Sequence, residues 1–219
     1  MRKINLIAIL ITSAMLFSIF PISVQAEETS MINDYELKSD EGVHTVAYDQ
    51  EDVFEELTKQ VEVALNERIA KENKFSSIIN SNCYASDRNY TYRTVVVSTK
   101  NVWSPAGACG NQPSNGVRFP SGGGMYYNPS GGPAVSFSAS INGTVIPLSV
   151  GIGISSSSSI GYYAEAPDKT NFYKLYARKL VTVQHVKTYR TNRQTGLETL
   201  YMETYPTTVS GFEFYLKKV

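Results

Sequence analysis

A chain of 219 residues with 18% charged and 42% hydrophobic side chains is too apolar to be disordered and too varied to be fibrous. Its twenty basic and twenty acidic groups cancel overall, and its length suits one domain with a single core once a leader is removed. Two cysteines and two histidines exclude a disulfide-stapled mini-protein and leave little material for metal or general-base chemistry.

The chain starts Met1-Arg2-Lys3, continues as an apolar run from Ile4 to about Phe20, and reaches the small-residue end Val24-Gln25-Ala26. A basic n-region, an apolar h-region and an A-x-A-like end predict a secretory signal peptide over residues 1–26, of the kind bacterial exporters use, and hence an extracellular protein. Residues 27–82 carry fourteen acidic and five basic side chains, a formal charge of −9, whereas residues 83–219 carry six and thirteen, a formal +7. Charges of opposite sign along one chain attract each other at moderate salt, or attract outside partners. Within the acidic segment, Glu27 to Gln50 is polar and aperiodic and is expected to be mobile. An amphipathic helix is predicted over about 51–74, with Phe54, Leu57, Val61, Leu65 and Ile69 on one face. It is read either as packed on the following domain or as an acidic pro-segment that masks it.

Residues 83–219 read as a β-rich domain. Fifteen Tyr and nine Phe against one Trp, with abundant Ser and Thr, suit pleated, half-buried surfaces. Cys83 and Cys109, an even pair in an exported chain, are expected to form a disulfide. Closing a loop of about 27 residues, it would contribute roughly 3.5 kcal/mol. Strands are expected over Tyr90–Ser98, over both arms of a hairpin between Pro133 and Ile154, over Phe172–Arg190, over Leu197–Tyr205 and over Val209–Leu216. A Gly- and Pro-rich loop fills Asn101 to Pro133, and Ser155 to Ser159 is a low-complexity run. The predicted fold class is therefore mainly β, an antiparallel β-sandwich or open barrel preceded by one N-terminal amphipathic helix.

The hairpin is the most definite element. Asn142-Gly143 suits a two-residue turn with positive φ at both positions, which pairs Ile141 with Thr144 and sets the register outward from there. Val135, Phe137, Ala139, Ile146, Leu148 and Val150 then share one face, and Ser136, Ser138 and Ser140 lie on the other with Val145, Pro147 and Ser149. An apolar face backed by a serine face, over arms of nine and eleven residues, is the division a membrane-spanning strand pair needs between lipid and lumen. In this pattern alone, over about a tenth of the chain, the sequence resembles small pore-forming toxins of the aerolysin type, which implies a hairpin that inserts into membranes. Pro147 is expected to cost that hairpin a ladder hydrogen bond.

Catalytic motifs are missing: there is no HExxH, no GxSxG, and no grouping of His with Cys or carboxylates at metal-ligand spacing. His44 and His185 read as surface or hydrogen-bonded residues. Glu165 and Asp168, flanking Pro167, read as solvated turn residues in preference to a carboxylate pair. The expectation is a non-enzymatic protein with no cofactor and no metal. The basic, aromatic strand supplies a binding surface: Tyr173, Lys174, Tyr176, Arg178, Lys179 and Lys187. For an exported protein the matching partner is an anionic envelope polymer or a membrane surface, and intracellular nucleic acid is excluded by compartment. Binding to such an envelope surface is the first functional expectation, and a pore-forming or bacteriocin-like role for the 133–154 hairpin is the alternative.

Overall fold

A computed structural model describes residues 42–79, 89–156 and 161–219, with side chains placed outside 75–88. Strands dominate and a single helix is present among them. The organising element is a strand of 21 residues, β10 (Phe172–Asn192), which at about 3.3 Å per residue extends for roughly 70 Å. On one edge it pairs with β12 (Thr207–Lys218) and β11 (Glu198–Thr204). On the other it pairs with β2 (Tyr90–Trp103) and the two-residue strands β3 (Gly107–Ala108) and β4 (Val117–Arg118). Every pairing is antiparallel, and bulges at Leu180/Val181, His185/Val186 and Thr188/Tyr189 raise the local twist, so the sheet curls into a half-barrel.

One finding corrects the expected order. The helix does not precede all strands, because His44–Ala47 forms β1 and pairs with β12 from Phe214 to Gly211. Sequence gives little warning of it: HTVA is short and half polar, and its place depends on the free edge of a strand about 170 residues away. The ring of His44 stacks on that of Phe214, centroids 4.8 Å apart. Helix α1 (Gln50–Ile79) follows at once. Asp49 caps it, its carboxylate accepting a 2.8 Å bond from the Glu51 amide. Val53, Leu57 and Val61 form the buried row, while Phe54, expected on that face, is 49% exposed. The helix packs on the sheet, where Gln60 bonds both backbone groups of Thr207, Glu72 meets Arg190, and Arg68 lies over the Tyr201 ring.

A second layer covers the opposite face of the sheet. Toward the Phe172 end it is a three-stranded sheet of β5 (Gly124–Asn128), β8 (Ile154–Ser156) and β9 (Tyr162–Glu165). Tyr127 and Ala164 from this layer pack with Cys109, Leu175, Ala177, Phe212 and Phe214 in the main core. Farther along β10 the second layer is the hairpin of β6 (Ala134–Ile141) and β7 (Thr144–Gly151), whose Ala139, Ile141 and Leu148 pack with Val181 and Val183. The result is an antiparallel sandwich with one large curled sheet and two small ones.

The expected disulfide is absent among the described residues. Cys109 is a free thiol, 4% exposed, and Cys83 lies outside the described residues. Cys109 belongs to the main core, with Sγ 3.8 Å from the carbonyl oxygen of Ile152. Burial pushes its thiol up to about 12, only partly offset by its own backbone and by Lys179. At about pH 8 roughly one molecule in ten thousand then carries a thiolate, the reactive form. Maleimide is expected to leave Cys109 unmodified in the folded protein and to label it fully in denaturant, read by mass of the peptide that contains it. Labelling without denaturant would show that the core opens there.

Candidate membrane-active hairpin

The β6–β7 pair carries the register set by its turn. Ile141 faces Thr144, Ala139 faces Ile146, Phe137 faces Leu148 and Val135 faces Val150, with Asn142 and Gly143 at φ of 49° and 80°. The six residues marked as a membrane face therefore share one side, and it is the side turned to the long sheet. Ala139 and Leu148 are buried and Val135, Phe137, Ile146 and Val150 half-buried, while Ser136, Ser138, Ser140, Val145, Pro147 and Ser149 are exposed.

No ladder joins this pair to any other strand among the described residues. Side chains hold it instead. Near the turn, the Asn142 amide nitrogen lies 3.0 Å from Ser98 Oγ and 2.7 Å from His185 Nδ1. His185 is 4% exposed, stacks on Tyr205, and sits with Nε2 2.5 Å from Glu203 Oε1. With Nε2–H donating to the Glu203 carboxylate, Nδ1 is left to accept from the Asn142 amide. Tyr205 in turn bonds the Thr144 hydroxyl at 3.1 Å, and Lys100 donates to the Ser140 carbonyl at 2.9 Å. Along the outer edge of β7 an open cleft of about 330 Å³ is lined by Leu148, Val150, Val181, Thr207 and Val209.

At its base the hairpin leaves the body through crossed glycines. Gly131-Gly132 enters and Gly151-Ile152-Gly153 leaves, joined by Gly153 N to Gly131 O at 2.8 Å and Ile152 N to Pro133 O at 3.1 Å. At Gly132, φ is +86° and an added Cβ would stand 2.1 Å from the Gly153 oxygen. Only glycine permits this crossing. Lys179 reaches the same place, its ammonium donating to the Pro129 carbonyl at 2.8 Å, and burial lowers its pKa.

Pro147 costs the pair nothing. The turn makes Ile141 and Thr144 a hydrogen-bonded pair, so pairs alternate outward and Pro147 with Ser138 is non-bonded. The missing N–H falls on the outer edge of β7. By the same alternation the Ser140 carbonyl faces the outer edge of β6, where Lys100 occupies it.

The expected binding strand divides. Lys174, Tyr176 and Arg178 project on the outer face of the sheet. Tyr173 is buried on the inner face, its hydroxyl donating to Asp168, and Lys179 also turns inward to Pro129. Lys187 lies 3.8 Å from Glu203. Asp168 organises a turn, accepting from the amides of Thr170 and Asn171; bonds from Tyr173 first, then Asn171 and Thr170, hold its carboxyl far below the usual range. The residues missed by sequence reasoning, Arg118, Tyr215 and Lys217 on the outer face and Ser98 and Lys100 at the hairpin, have no local signature, because cross-strand register and packing bring them there.

Among the described residues no helix is long and apolar enough to cross a membrane, which says nothing of spanning by strands, and no group of three metal-ligating side chains gathers. No protein-family model, curated protein or solved structure matches the chain.

Proposed function

We propose that the chain is an exported, non-enzymatic, membrane-perforating protein whose β6–β7 hairpin is the inserting element. The observation that carries this reading is a complete apolar hairpin face docked on the body by side chains alone, with no ladder to break. Undocking costs the burial of that face at about 25 cal/mol per Å², and a hydrocarbon environment restores it. The serine face then lines water. With Pro133 and Ile152-Gly153 drawn into the strands, the arms reach nine and ten residues, within the nine to eleven a tilted spanning strand needs. One hairpin supplies two strands, and the smallest closed barrels have about eight, so at least about four chains contribute to one pore.

Fixing the hairpin in place tests this. In a Cys83→Ser background, Lys100→Cys and Ser140→Cys place two thiols where the Lys100 ammonium now meets the β6 edge. The purified protein is joined there by a thiol-cleavable bis-methanethiosulfonate linker and added to dye-loaded liposomes. The expected outcome is dye release by the unlinked protein, none by the linked one, and recovery on reduction. An unlinked protein that releases no dye, or a linked one that releases as much, overturns the reading.

A further inference from the structure

Lys174 and Lys217 stand directly opposite each other in the β10–β12 ladder, both on the outer face. Like charges in that position repel and weaken a sheet. Nothing compensates: among the described residues neither lysine, nor Arg118 beside them, has a carboxylate partner. Arg118 is paired with Phe172 across the β4–β10 ladder, its guanidinium 5.6 Å from the ring centre, and Lys217 lies 5.3 Å from the centre of the Tyr176 ring. The acid on this face, Glu213, is already bound to Arg178 at 2.7 Å. Helix α1 lies over the far half of the same face, where Glu72 meets Arg190, and makes no ion pair with Lys174, Lys217 or Arg118 among the described residues.

A repelling cluster with no carboxylate partner among the described residues fits an anion from outside the chain. The apolar groups beside it narrow the class. Phe172 is 45% exposed and Val219, at the end of β12, is 60% exposed. A soluble polyanion gives these groups nothing to bury against, whereas at a bilayer surface aromatic rings settle at the headgroup level as lysines and arginines meet lipid phosphates. We infer that the outer face of β10 and β12 around Lys174, Lys217, Arg118 and Phe172 docks the protein on anionic lipid headgroups. The inference deepens the membrane reading and rests on it, supplying the attachment that precedes insertion.

Co-sedimentation with vesicles tests attachment apart from perforation. The purified protein is mixed with vesicles of phosphatidylcholine and with vesicles of phosphatidylcholine containing phosphatidylglycerol. Lys174→Glu/Lys217→Glu exchanges one like-charge pair for another, so the sheet keeps its cross-strand repulsion while the cluster changes sign. Lys59→Glu/Lys71→Glu makes the same change in net charge on exposed helix positions. The expected result is binding to the anionic vesicles only, weakened by added salt, at least about tenfold weaker for the sheet variant and unaltered for the helix variant. Phe172→Ser is expected to weaken vesicle binding as well. Equal binding to both vesicles, or retention by the sheet variant, overturns the inference. So does tighter binding to soluble poly(glycerol phosphate) than to vesicles, which would assign the face to a polymer. Linked-hairpin protein that sediments with anionic vesicles without leakage supports the docking face, whatever becomes of the perforation reading.

Discussion

Phe212→Ala is expected to destabilise the protein by about 3–5 kcal/mol, the range for a large aromatic removed from a packed core. Phe212 is fully buried, and four rings surround its own: Tyr162 at 5.0 Å between centroids, Tyr127 at 5.2 Å, Tyr48 at 5.9 Å and Phe214 at 6.2 Å. Those rings come from the β1–α1 connection, from β5, from β9 and from β12 itself, so no single element can shift to fill the space. The Tyr127 hydroxyl is also fixed by a 2.9 Å bond to the Ile152 carbonyl, which prevents that ring from following. Urea unfolding followed by tyrosine fluorescence measures the loss as a lower midpoint with unchanged slope. A loss under about 1 kcal/mol would mean that the two layers slide together, and that the second layer is less fixed than its ring contacts indicate.

Gly153→Ala is expected to cost about 3 kcal/mol and to act at the hairpin base. The residue has φ of +93°, outside the ordinary range of an L side chain, and an added Cβ would stand 2.5 Å from the Asn128 oxygen and 2.6 Å from Cε2 of Tyr127. Neither neighbour yields readily, one being backbone and the other a buried ring. Gly143→Ala provides the comparison, since it too has positive φ (+80°) but its Cβ would meet nothing within 4 Å. Its cost is expected to be about 1 kcal/mol, from backbone strain alone. The difference between the two unfolding midpoints therefore measures how closely Gly153 approaches β5. Equal midpoints would show that Gly153 does not lie as tightly against Asn128 and Tyr127 as described.

Much of the β framework is legible in the chain because its determinants are local. Asn142-Gly143 specifies a turn, the turn specifies a register, and the period of two then assigns every side chain from Val135 to Val150 to a face. The long run from Phe172 is likewise visible as a strand from its own composition. The helix was visible too, but its rotation was not. Val53 and Phe54 lie about 100° apart on either side of Leu57, and the sheet surface that meets the helix takes the Val53 side. What depends on distant partners escaped. β1 exists because β12 has a free edge, Cys109 is buried because β3 pairs on the edge of β10 and sets it beside Leu175 in the core, and Tyr173 and Lys179 turn inward because parity along β10 separates them from Lys174, Tyr176 and Arg178. The proposed docking face was therefore half readable: its β10 residues stand in one run, while Lys217 and Arg118 join them only through cross-strand pairing.

The two outer edges of the hairpin are closed by different means, with proline on β7 and a lysine ammonium on β6. A proline block is permanent, whereas a lysine block lasts only while the hairpin stays where Lys100 can reach it. In the docked hairpin each outer edge therefore carries one obstacle to pairing with a strand of another copy. On the proposed reading, release lets the β6 edge of one copy meet the β7 edge of the next, with one ladder hydrogen bond missing at Pro147 in each seam. Such a seam is head-to-tail, and it closes into a ring only where the rotation from copy to copy brings the last β7 edge back to the first β6 edge.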